Sequence, residues 1–95
     1  MFKKMRGIKL DYYKQGLIYF VCRNYTFQSE MVKNRVLSLC ESIGKEYSKA
    51  LFEMVTMHHS VQRIAIRYYT STSNLYRLRK KFYESWFTYE NSTTN

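Results

Sequence analysis

Arg63, Arg67, Arg77, Arg79, Lys80 and Lys81 are the side chains best placed to do chemistry, because the stretch that holds them, Ser60 to Lys81, contains no Asp or Glu. Six cations against a whole-chain net charge of +9 put most of the charge excess on one short segment. A surface of this kind attracts polyanions, above all a phosphate backbone. Thr70, Ser71, Thr72 and Ser73 interrupt the basic run with four consecutive hydroxyls. Such hydroxyls accept hydrogen bonds from the exposed amides of a first helical turn. The chemistry these residues suit is the binding of an anion.

Other reactive side chains lack companions. The chain has ten Tyr, but a tyrosine nucleophile for strand transfer needs an Arg, His, Arg set on a larger domain to stabilise the pentavalent phosphate. No glycine-rich phosphate loop, paired carboxylates, or Ser or Cys with a recognisable base is present. His58 and His59 are neighbours, which on a helix would point apart, and no third ligand lies at metal-site spacing. They suit a loop, where protonated imidazoles can touch phosphate. Cys22 and Cys40 lie too far apart for a zinc or redox motif and fall on apolar helical faces, as buried, reduced thiols do. The expectation is a protein that is not an enzyme and uses no metal and no cofactor.

The basic stretch must be positioned by helices. Val61, Ile64, Ala65 and Tyr68 recur at the spacing of one helical face, and Leu75, Leu78, Phe82 and Trp86 do so again after the hydroxyl-rich break. The two registers predict a short helix capped by Ser60 and a longer one starting near Ser71. A plain helical hairpin is the simpler architecture with the same pattern.

Upstream, the same periodicity predicts three more helices. Asp11 caps the first, running to about Asn24 with Tyr13, Leu17, Phe20 and Val21 as its inward stripe; a strand over 17–21 is the alternative. Ser29 followed by Glu30 opens the second, which buries Val32, Val36, Leu39, Cys40 and Ile43 and stops at Gly44. The third starts near Lys45 or Glu46 and buries Tyr47, Leu51, Met54 and Val55, leaving Glu46, Lys49 and Glu53 to water. With no Pro, three Gly and 45% apolar residues at helical spacing, the fold class is all-α, a globule of four or five helices. Residues 1–9, with Lys3, Lys4, Arg6 and Lys9, read as a flexible basic arm, 10–90 as one helical domain, and 91–95 as a disordered tail. The longest apolar run, 17–22, is too short to span a bilayer. A soluble cytoplasmic protein is expected, with no membrane partner.

The spacing over 60–86 resembles the helix-turn-helix of repressors and of sigma-factor region four. Ile64 and Ala65, Ser71, and Leu75 with Leu78 stand at that family's characteristic positions, whereas Tyr69 stands where the family has a turn Gly and Thr70 where it has Val or Ile. In size and motif position the chain is similar to short regulators of phages and mobile elements of low-GC Gram-positive bacteria. The resemblance implies a sequence-specific duplex DNA-binding transcriptional regulator that reads the major groove, with RNA polymerase as a further partner. It places Ser71, Thr72, Ser73, Tyr76 and Arg77 against base edges, Arg77 bidentate on guanine, and Arg63, Arg67, Lys80 and Lys81 on phosphates. A homodimer on two half-sites fits the same expectation. Two other functions are compatible with the residues: an interaction or inhibitor module docking its basic helices on an acidic protein, and a single-strand or RNA binder that stacks bases on exposed Tyr.

Overall fold

In the computed structural model, which describes residues 2–93, the chain is all-α. Five α-helices follow one another: α1 (Tyr12–Arg23), α2 (Glu30–Gly44), α3 (Ser48–Thr56), α4 (Val61–Arg67) and α5 (Thr72–Thr93). Single 3₁₀ turns at Tyr25–Phe27 and Lys45–Tyr47 lead out of α1 and α2. Three starts carry the cap that the sequence suggests. Asp11 Oδ1 accepts from the Lys14 amide at 2.8 Å, Ser29 Oγ from Val32 at 3.3 Å and Ser60 Oγ from Arg63 at 3.2 Å.

Nine residues long, α3 is the hub, packing against each of the other four helices. Its apolar side chains divide the interior in two. Leu51 and Val55 belong to the main core with Ile18, Cys22, Val36, Leu39, Leu78, Phe82 and Trp86, while Ala50 and Met54 join Ile64, Ala65 and Leu75 in a smaller one. The small core fastens α4 to the start of α5, and the large one fastens the rest of α5 to everything else. Cys22 and Cys40 are free thiols inside the main core.

Several expectations are corrected by the structure. On α1 the buried residues are Gln15, Gly16, Ile18 and Cys22, whereas Tyr13, Leu17 and Phe20 are exposed. Both sets have helical spacing, so the helix forms as expected and turns a different face inward. Gln15 is buried because its side chain serves the backbone of the preceding segment: its Oε1 accepts from the Met5 amide at 2.8 Å and its Nε2 donates to Leu10 O at 3.0 Å. That segment, expected to be a free arm, is held down by Phe2 and Ile8, both buried. Its basic residues are interspersed with apolar ones, and a turn at Gly7, with φ of 79°, lets both kinds reach their places.

The end of α2 also differs. Gly44 stays in the helix, and the positive φ, 51°, falls on Lys45. Glu53, expected in water, is only 6% exposed. At the other end of the chain, α5 continues through Thr93. It thus covers the first three residues of the stretch expected to be a disordered tail, and the last two lie outside the described residues. Among the described residues no helix is long and apolar enough to cross a membrane.

Candidate nucleic-acid interface

The bend between α4 and α5 is built from backbone hydrogen bonds. Thr70 N–H donates to Ala65 O at 2.9 Å and Tyr69 N–H to Ile66 O at 3.3 Å, the paired bonds of a Schellman stop. That motif needs a left-handed residue, and Tyr69 takes it at φ 55°. The chain then turns directly into α5. Ser71 Oγ accepts from the Asn74 amide at 3.0 Å, and Asn74 Nδ2 donates to Thr70 Oγ1 at 2.9 Å. The hydroxyl cluster therefore acts as the start signal of α5. Ala65 and Leu75, both buried, bring the two helices together in the small core.

With Leu75 and Leu78 turned inward, the opposite side of α5 faces out. Ser73, Tyr76, Arg77, Lys80 and Lys81 are all exposed or half-exposed, and Ser71 is exposed at the cap. Thr72 is half-buried. Arg77 Nη2 donates to Asn74 Oδ1 at 2.5 Å, a neutral partner. The first acid along α5 is Glu84, and its carboxylate accepts the Lys9 amide at 2.8 Å. Beside α5 runs a cleft of about 400 Å³, with Lys45 and Glu46 on one wall and Asn74, Arg77 and Lys81 on the other.

The residues assigned to phosphate do not share one environment. Arg63, on the first turn of α4, is exposed. Arg67 instead donates to Glu53 Oε2, which also accepts from His59 Nδ1 at 2.7 Å, while Tyr68 Oη donates to Glu53 Oε1 at 3.2 Å. Burial alone would push this carboxyl up, but the hydrogen bonds from His59, Arg67 and Tyr68 and the Arg67 charge outweigh it and hold Glu53 below its ordinary 4.5. Arg67 is thus engaged in fixing α4 to α3. Tyr68 is shifted the other way: burial, then the hydrogen bond to the Glu53 anion, raises its phenol above the usual range.

Sequence reasoning missed a second gathering of cations. Arg23, at the end of α1, donates through Nη1 to His58 Nδ1 at 2.7 Å and lies 4.8 Å from the centre of the Tyr19 ring. Arg79 packs on the Tyr76 ring at 5.0 Å, and its guanidinium is pulled below its ordinary value by burial and by the proximity of Arg23. These residues belong to three elements far apart in the chain, so no local spacing could reveal them. Among the described residues no three His, Cys, Asp or Glu side chains assemble into a metal-binding group. Comparisons with protein-family models, with curated proteins and with solved structures find no match to this chain.

Proposed function

We propose that α4, the bend at 68–71 and the first half of α5 form a helix-turn-helix that binds duplex DNA, with α5 entering the major groove, as in a transcriptional regulator. One observation carries this reading. The outward face of α5 presents Ser73, Tyr76, Arg77, Lys80 and Lys81 without an acid, while Leu75 and Leu78 on the opposite face are buried in two different cores. A helix that meets base edges has to be held rigidly from behind and left bare in front. Arg77 is assigned to guanine, with Ser71, Ser73 and Tyr76 beside it. Thr72, half-buried, stands at the edge of that set. Arg63, Lys80 and Lys81 are assigned to phosphates, and Arg67 to the support of α4.

The test is binding to a randomised duplex library across a salt series. Arg77→Ala should relax preference at one position of the selected site, at a cost of about 1–3 kcal/mol. Lys80→Ala should leave preference intact and lower the salt slope by about one. Equal losses with unchanged preference for both variants would remove the assignment of base reading to α5. Tight binding to an acidic protein, with no duplex binding at low salt, would favour the interaction-module reading instead.

A further inference from the structure

Tyr13, Leu17 and Phe20 form one outward line along α1, with Tyr12 beside it, and the chain continues through Phe27 and Met31, which are exposed as well. These six residues make up more than half of the large apolar side chains exposed among the described residues, and their exposures run from 42% at Tyr12 to 86% at Phe27. At roughly 200 Å² for a large side chain, Tyr12, Tyr13, Leu17 and Phe20 leave on the order of 460 Å² open along α1 alone. A contiguous apolar patch of that order is often functional. Two such faces pressed together bury about 900 Å², the low end of specific interfaces.

Charge indicates which partner. The outward line of α1 carries no ion: Lys14 lies over the Phe87 ring at 5.5 Å, and Arg23 is occupied with Tyr19 and His58. A chain with a net charge of +9 repels its own copies over most of its surface. Two copies can approach only where that charge is absent. An acidic partner would be drawn to the bare cations of α5, where it gains far more.

We infer that the outward face of α1 is a two-fold interface between two copies of this chain, the two α1 helices antiparallel and the axis near Leu17. Tyr13 of one copy then meets Phe20 of the other, and the uncharged centre needs no counter-ion. The interface stands on its own observations. Its consequence, two α5 helices presented to two half-sites, rests on the proposed DNA reading.

The measurement is solution mass without DNA, by light scattering or sedimentation equilibrium at micromolar protein. Wild type should have twice the 11.6 kDa chain mass. Leu17→Glu and Phe20→Glu should each reduce it to one chain with unchanged helical circular dichroism, because neither side chain is in the core. Tyr76→Glu, on α5, should stay dimeric. Leu17→Cys should oxidise to a covalent dimer much faster than Ile66→Cys, since both native thiols are buried. A monomeric wild type up to its solubility limit, or a dimer indifferent to both glutamates, would overturn the interface. So would a monomer whose binding to single-stranded oligonucleotides is lost in Phe20→Glu, which would make the stripe a base-stacking surface. Failure of duplex binding in an intact dimer would sink the DNA reading and leave the interface standing.

Discussion

Glu53 shows how much of the architecture can depend on a single side chain. Its carboxylate gathers His59, Arg67 and Tyr68 and so links α3 to the loop before α4 and to the end of α4. Removing it leaves a half-exposed guanidinium and a phenol without their acceptor. Glu53→Ala should therefore cost about 2 kcal/mol in urea unfolding. The pH dependence has a definite sign. A carboxyl held below 4.5 in the folded state contributes stability that is fully present above 4.5 and is lost as pH falls through its folded value. Wild type should weaken in that acid window, and Glu53→Gln, already weaker near neutrality, should weaken less there. Parallel curves for the two proteins would show that another group carries the acid sensitivity.

The burial of Glu53 is not legible in the sequence, for a physical reason. A charged residue on an amphipathic helix is assigned to water by default, and only the arrival of Arg67 and Tyr68 from 14 and 15 positions away makes its burial tolerable. The structural duty of Arg67 is hidden with it. The basic run is legible as a run, but which of its members has a partner depends on tertiary neighbours.

At the scale of elements, the bend before α5 carries strain that can be removed. Tyr69 holds φ 55° while 93% exposed, so its ring contributes little packing. Tyr69→Gly should raise stability by about 0.5–1 kcal/mol, the relief of the left-handed backbone outweighing the added flexibility of the unfolded chain. Tyr69→Val should lower it, because β-branching disfavours that conformation further. Thermal or urea midpoints decide both signs. Leu75 tests the opposite quality of the same joint. It is fully buried where α3, α4 and α5 meet, and Leu75→Ala should cost about 2–5 kcal/mol.

The helices themselves are largely visible in the sequence. Caps at Asp11, Ser29 and Ser60, and a start at Ser71, follow from side chains that accept amides, a local rule that tertiary context seldom overrides. The joint at 64–78 is equally plain, since Ile64, Ala65, Leu75 and Leu78 fall on the apolar side of two strongly basic helices and all are buried. By contrast α1 is apolar nearly all round. Tyr13, Leu17 and Phe20 compete with Ile18 and Cys22 for the interior, and spacing alone cannot choose the phase. Burial of Gln15, which bonds the segment leading into α1, is what settles it.

On the scale of the whole molecule, 16 basic residues face 7 acidic ones. Crowded cations weaken the folded state through their mutual repulsion, and salt screens them. Sodium chloride should therefore raise the melting temperature moderately while it weakens the proposed duplex binding steeply. A melting temperature that falls in step with affinity would mean that ion pairs, not repulsion, dominate the electrostatics of the fold.

Cys22 and Cys40 share the main core, and burial lifts Cys40 to about 12 and Cys22 higher still. The Cys22 sulfur, with no exposed surface, cannot meet a thiol-reactive dye while the domain stays closed, whereas Cys40 lines a surface pocket. The protein therefore has a built-in clock: the labelling rate of Cys22 under native conditions counts opening events. Any oligonucleotide that slows the clock is a ligand of the closed form, so the proposed DNA binding can be screened sequence by sequence against the unmodified protein.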